Sequence, residues 1–383
     1  AGQTTRRFRQ HSIRKSYLNA LLGIAVNEGK IDTAKTLSQL KIDDMQPLSE
    51  KEKKARVIDL MRARSGIYLP SAFSTGTMEK NLPERGSFKP GQHWFYNNWD
   101  FNVMGYIYNL AMPGDIFSDF RKQITEPLGF EDFDSLATHY LYEKDKSFYP
   151  AYLFRLSARD MARFGLLYLR NGHWAGKQVI PESWIKISTQ PYSKKIFGED
   201  DMHYGYGLMW WTYKDLHGEF MYGAFGAGGQ RISVFPESKL VLVHLTDTYR
   251  NREVSDDQIN HLCSMLLDAR TGPPDANAEL VTYKPARESF KTITVAYNDL
   301  KMFEGVYHSK FLGEFKIAIS NMNYLLLTSG IGRFRLFPVA KNTFISREIA
   351  IPMIFMESGK DNKMSFQPVM NDKKEIENFR FYY

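Results

Sequence analysis

The sequence predicts an α+β protein: an antiparallel sheet flanked by helices, followed by a small C-terminal all-β barrel or sandwich. Three observations carry this. A strongly apolar, helix-period segment follows Ser12. Helical patterns dominate as far as Ile187 and give way to strand texture from Tyr204. Beyond about Leu300, short strands recur at roughly regular spacing. The chain has 383 residues, enough for two to three domains. The expected boundaries are 1–270 for the helix-and-sheet part, 271–290 for a linker and 291–383 for the small β part.

Taken in order, Leu18, Leu21, Leu22 and Ala25 fall on one face of a helix that Gly29 stops. A polar stretch follows from Asp32 to Lys54, then Ile58–Met61 leads into a turn at Arg64-Ser65-Gly66. Pro90-Gly91 marks another turn, followed by the aromatic run Trp94 to Trp99 and a helix through Met104 and Tyr108. Ser157 with Asp160 three residues on reads as a capping box, and Met161, Phe164 and Tyr168 continue that helix. Pro181 suits the first turn of a helix over 182–187. Ile232–Phe235 and Leu240–Val243 flank a turn and predict a hairpin. A helix over 255–267 closes this part, and Thr271-Gly272-Pro273-Pro274-Asp275 opens the linker. The small β part is expected to use 305–307, 315–319, 324–328, 334–336 and 351–355.

Composition narrows the function classes. Hydrophobic residues are 43% and charged residues 24%, which excludes a wholly disordered chain or a collagen-like fibre. Aromatics reach 14%, so a sizeable core is available. Lys and Arg total 50 against 43 Asp and Glu, a formal net charge of +7. An excess that small, with no basic stripe or known module, gives no reason to expect a nucleic-acid partner. The single cysteine, Cys263, excludes an intrachain disulfide and a cysteine-based zinc site. No closely spaced His pair suggests a metal, and no cofactor is expected. No apolar run approaches the ~18 residues of a membrane-spanning helix, and no secretory leader is visible.

The motif that carries chemistry is Ser12-Ile13-Arg14-Lys15. Residues three apart share a helix face, so Lys15 brings its amine beside the Ser12 hydroxyl. A lysine shielded from water loses part of its basicity and can take a proton, which makes a Ser-Lys pair an activated nucleophile. The spacing alone is common: Ser38-Gln39-Leu40-Lys41 and Ser183-Trp184-Ile185-Lys186 share it. Ser12 is singled out by its buried helix, by Tyr96-Asn97-Asn98 downstream and by Gly226-Ala227-Gly228-Gly229-Gln230 before a strand. Alone, Tyr96 suits a core aromatic, Asn98 a helix cap and the glycine run a tight turn.

In that order these motifs resemble the serine β-lactamase and penicillin-binding-protein superfamily, most of all its class C branch with esterase and D-aminopeptidase relatives. His11–Ser16, Leu22-Gly23-Ile24-Ala25, Glu28-Gly29-Lys30-Ile31, Leu156–Gly165 and Gly205-Tyr206-Gly207 extend the resemblance over about residues 8–268. The resemblance implies a small-molecule or peptide substrate and an acyl-enzyme on Ser12, with proton traffic shared by Lys15 and Tyr96 and the base left open between them. It implies that Asn98 bonds Lys15 and the substrate. The backbone N–H groups of Ser12 and Gly229 would form the oxyanion hole. Gly226, Ala227 and Gly228 would line the substrate where the family usually has Lys or His, a small residue and Gly. The missing cation disfavours a true β-lactamase and favours esters, amides or peptides; Arg231 or His203 are candidates to replace it. Trp210, Trp211 and Tyr206 suit an acyl pocket or the core, and Arg155, Arg159 and Arg163 suit structural ion pairs.

Family members carry several tens of residues before the nucleophile, including sheet strands, so exposed sheet edges are expected here. The family also suggests a periplasmic or secreted location. The segment from about 281 to 383, on Phe303-Glu304-Gly305-Val306-Tyr307 and strand spacing, resembles the lipocalin-like domain behind some members. The rival enzyme readings are a class C-like β-lactamase and a DD-peptidase or D-aminopeptidase. The rival of another class is a non-catalytic binding protein on the same scaffold.

Overall fold

The computed structural model describes residues 5–194, 204–248, 253–270, 272, 291–309, 313–320, 324–329, 332–346, 352–357, 365–371 and 376–382. The expected linker, apart from Gly272, and His203 lie outside the described residues.

The strand texture resolves into a six-stranded antiparallel meander: Ser193–Lys194, Tyr204–Tyr206, Trp211–Leu216, Glu219–Gly226, Gln230–Phe235 and Leu240–His244, each paired with the next. The expected hairpin forms, with Ile232 opposite Val243 and Phe235 opposite Leu240. Every residue of Gln230–Phe235 is buried, because both faces of the sheet are covered. Ile232 and Val234 join the main core with the helices Arg14–Asn27 and Ala158–Leu169. Phe235 turns the other way, towards Ile259 and Cys263 of the Asp256–Asp268 helix. The outer strand Leu240–His244 is mostly half-buried.

Local signals place the helix ends. Ser255 caps Asp256–Asp268 in a capping box with Gln258. Ser157 caps Ala158–Leu169 through the Asp160 N–H, but the reciprocal half of the expected box is absent. The Asp160 carboxylate instead accepts the N–H groups of Glu131 and Asp132, at 2.9 and 3.0 Å. Gly165 of that helix faces Val241 and Ile232, where a Cβ would lie 2.6 and 2.9 Å from their side chains. A helix can approach the sheet this closely only without a side chain there.

The C-terminal part is a barrel, not a sandwich. Its eight strands are Gly305–Ser309, Gly313–Ile319, Leu325–Ser329, Gly332–Ala340, Thr343–Ile345, Pro352–Met356, Ser365–Met370 and Ile376–Tyr382. His308 opposite Ser365 closes it. Phe303, Tyr307, Phe315, Phe355 and Phe381 fill a core separate from the main one. The barrel touches the rest through Arg155, whose guanidinium donates to the Arg333 carbonyl at 2.9 Å and lies 4.1 Å from the Phe334 ring centre. Arg335 pairs with Asp134 beside it. Among the described residues no helix is long and apolar enough to cross a membrane.

Candidate active site

The chain reaches Ser12 through a strand of two residues, Phe8–Arg9, paired with Arg155–Leu156. His11 then takes a left-handed conformation (φ 47°), unusual for a residue with a side chain. A single 3₁₀ turn, His11–Ile13, feeds the Arg14–Asn27 helix. Ser12 is therefore half-buried at the helix entrance, and Lys15 is one turn further on.

This helix differs from the one-faced pattern expected of it: every residue from Arg14 to Gly23 is buried. Its polar side chains make that possible by finding internal partners. Ser16 donates to the Met209 carbonyl at 2.9 Å. Asn19 donates to Ser188 Oγ and the Leu208 carbonyl, and accepts from Tyr168, Trp184 and Trp210. Enclosure then sets the chemistry of Lys15, which is 1% exposed.

Lys15 Nζ and Ser12 Oγ form a hydrogen bond of 2.9 Å. The amine also lies 4.8 Å from the Tyr96 ring centre and 5.0 Å from that of Phe101. Burial first, and then the charge of Arg14, hold Lys15 well below the usual lysine range. Burial pushes the Tyr96 phenol up to about 12, with the neighbouring Ser12 hydroxyl and the charge of Arg14 pulling the other way. Ser12, Lys15 and Tyr96 thus meet in one cluster containing an amine biased to be neutral and a neutral phenol.

Asn98 is near but differently engaged. Its amide nitrogen donates to the Phe73 carbonyl at 2.5 Å, and its oxygen accepts from Arg14 at 3.4 Å. It bonds Arg14 rather than the expected Lys15. Asn97, not Asn98, caps the Asn98–Ala111 helix, accepting from the Asp100 N–H at 2.9 Å.

The glycine run divides. Gly226 ends its strand against the turn that leads into Ser12, where a Cβ would lie 2.6 Å from the Gln10 carbonyl oxygen and 3.3 Å from His11 Cβ. Ala227 is exposed at the hairpin tip. Gly228 and Gly229 have positive φ, and added Cβ atoms would meet Thr248 and Val254 respectively. Gly229 is buried beside Val254 and Ile259, and its carbonyl accepts from His244 at 2.7 Å.

Arg231 is a buried residue of the Gln230–Phe235 strand. Strand alternation turns it away from the face that carries Ile232, under the Asp256–Asp268 helix. There it is fully buried, 3.9 Å from the Phe225 ring centre, with Nε donating to Ser233 at 3.1 Å. Trp210 and Tyr206 are core residues. Trp211 is half-buried, its ring 5.3 Å from Tyr96 and 6.0 Å from Trp94. Arg159 forks onto Asp132 at 2.6 and 2.7 Å, and Arg163 pairs with Glu131, as expected of structural ion pairs.

Two neighbours went unread in the sequence. His11 stacks on Phe73 and lies 3.0 Å from Thr248 Oγ1; burial, Arg9 and Lys15 lower its ring to about 3. Arg14 is fully buried, donates to Asn102 at 2.9 Å and lies 4.5 Å from the Tyr152 ring centre. Its signal is a basic residue followed three and four positions on by Tyr17 and Leu18 rather than by an acid.

Comparison with known proteins agrees with this architecture. The β-lactamase family model matches residues 3–263, and the chain belongs to that family. An uncharacterized protein of Alkalihalophilus pseudofirmus is 22% identical over 274 residues, 66% of this chain and 76% of that one. A candidate 6-aminohexanoate-dimer hydrolase from Bacillus anthracis superposes with a TM-score of 0.55 at 20% identity, covering 70% of this chain and 74% of its own. The octameric penicillin-binding protein homologue from Pyrococcus abyssi gives 0.51 at 18%, covering 90% and 82%. A class C β-lactamase gives 0.51 at 15%, covering 71% and 84%. At these identities the likeness is one of fold.

Proposed function

We propose that the chain is a serine hydrolase that cleaves an ester, amide or peptide bond through an acyl-enzyme on Ser12. The observation that carries this is the 2.9 Å contact between Ser12 Oγ and a buried Lys15 amine. Neutral Lys15 accepts the Ser12 proton as Oγ attacks the substrate carbonyl carbon. The oxyanion is held by backbone N–H groups, one from Ser12. The family pattern puts the second at Gly229; the close approach of Gly226 to Gln10 and His11 supports the end of the Glu219–Gly226 strand instead. The tetrahedral intermediate collapses, and the leaving group departs with a proton passed from Lys15 through or beside the Tyr96 hydroxyl. Water then attacks the acyl carbon, gives its proton to the same pair, and Ser12 is reprotonated as the acid leaves. A phenol at about 12 favours Tyr96 as a relay and Lys15 as the base.

The turn Gly226-Ala227-Gly228 offers no cation, and Arg231 lies beneath the other face of the sheet. Both support uncharged ester, amide or peptide substrates over carboxylate-bearing β-lactams. The closed eight-stranded sheet at 305–382 supports a separate lipocalin-like domain after a linker at 271–290.

The test is intact-protein mass after incubation with a fluorophosphonate probe, with peptide mapping and an S12A control. One adduct on Ser12, lost in S12A, is expected. No adduct on folded protein would favour a non-catalytic binding protein on this scaffold. Turnover of a chromogenic cephalosporin would move the reading to a β-lactamase, and release of a D-residue from a peptide to a DD-peptidase or D-aminopeptidase.

A further inference from the structure

Arg14 and Lys15 are consecutive, and both are buried in a helix enclosed on every side. Neither has an acidic partner among the described residues. Arg14 bonds two neutral amides, Asn98 and Asn102, and its Nε and Nη1 make no hydrogen bond. Among the described residues Lys15 bonds only the Ser12 hydroxyl.

We propose that Arg14 is a positioning residue: its permanent buried charge, offset by no acid, keeps the adjacent Lys15 amine in its unprotonated, proton-accepting form. The inference rests on the hydrolase reading above. Burying one uncompensated cation is costly, and burying two side by side costs more because water no longer screens their repulsion. One must give up its proton. A guanidinium stays charged in proteins, whereas a buried ammonium yields readily. The charge therefore stays on Arg14, and Lys15 is the neutral member.

The surrounding titratable groups do not offset this. His11, on the entering turn, is held at about 3 and stays neutral, with Arg9 adding to the positive side. Tyr96 precedes the Asn98–Ala111 helix and is pushed up to about 12; Tyr152 and Tyr206, packed from the strands, are pushed higher by burial. These phenols are neutral. Asp100, on the Asn98–Ala111 helix, accepts from Ser65 at 2.6 Å, and burial pushes its carboxyl well above the usual range, weakening it as a counter-charge.

The test follows the rate of fluorophosphonate labelling of Ser12 against pH in the full chain, in wild type, R14Q and R14K. In wild type the rate should reach half-maximum well below the ~10.4 of a free lysine. R14Q keeps a donor for Asn102 but removes the charge, so its midpoint should rise by about one pH unit or more. Labelling at neutral pH would then fall about tenfold. R14K should lie between the two. A role in folding alone lowers the rate at every pH and leaves the midpoint where it was. A wild-type midpoint near that of free lysine overturns the proposal. So does an unshifted midpoint in R14Q that retains native circular dichroism. Absence of Ser12 labelling in wild type at any pH would instead sink the hydrolase reading itself.

Discussion

Two helices on opposite sides of the same sheet show how enclosure changes what a helix can do. Arg14–Asn27 is wrapped by its neighbours, and its buried residues include Arg, Lys, Ser and Asn. Asp256–Asp268 buries only Ile259 and Cys263 and leaves Leu262, Met265 and Leu266 exposed. The second is the ordinary amphipathic case, in which water solvates whatever the sheet does not cover. The first has no wet side. A polar group there gains from finding a partner, and a lysine gains from losing its charge. Asn19 and Ser16 find partners, whereas Lys15 is driven towards neutrality. The proposed reactivity belongs to the helix where solvent cannot cancel electrostatics.

The comparison breaks most visibly at Ser12, the proposed nucleophile. S12A should abolish probe labelling, and K15M should slow it by about 10² or more at neutral pH, read by intact mass over time. Equal labelling of K15M and wild type would remove the enclosed lysine from the chemistry. Next in size is G23A. Its Cβ would fall 2.2 Å from Trp184 Cδ1, with the buried indole unable to move aside. We expect a loss of about 3 kcal/mol in urea unfolding, from overpacking.

Protonation sharpens the same point. His11 and His139 are both lowered to about 3, mainly by burial. The fold holds them neutral, while the unfolded chain protonates them near ~6.5. Unfolding therefore takes up protons below that value, and stability falls as the pH drops from about 6.5 towards 3. The ring nitrogens of His139 have no hydrogen-bond partner among the described residues, so H139Q should flatten the fall of Tm across this window. A Tm–pH curve for H139Q parallel to wild type would count against burial as the cause. The smallest effect belongs to the open helix. Replacing exposed Met265 with Gln should change unfolding free energy by no more than about 0.5 kcal/mol.

Much of this was legible because its physics is local. The i,i+3 geometry puts Lys15 beside Ser12 in any helix that starts there. Ser255 and Gln258 form their box, and the hairpin 230–244 follows from a turn between two β-branched runs. The eight-stranded barrel was only partly legible: strands at 343–345 and 365–370 lack a clear apolar alternation, and 376–382 went unassigned although Phe379 and Phe381 alternate with Asn378 and Arg380. The roles that depend on distant chain were read less well. Asn98 was expected against Lys15, but Phe73 and Arg14 engage its amide. Asn97 took the cap because its side chain, one residue earlier, meets the Asp100 N–H. Gly226 and Gly229 look alike in sequence, yet Gly226 meets the turn before Ser12 and Gly229 packs on Val254 and Ile259.

The sequence by itself determined a serine, an amine three residues on and a phenol able to join them, together with the order of helices and strands. Tertiary structure decided the burial on which their chemistry depends. It enclosed Arg14 beside Lys15 with no acid paired to either among the described residues, turned Arg231 beneath the far face of the sheet, and brought the Gly226 end of its strand to the turn before Ser12. Helical spacing and strand alternation are short-range and periodic, so they are written in the chain. Desolvation and long-range approach depend on which surfaces meet, and they exist only once the fold has closed around them.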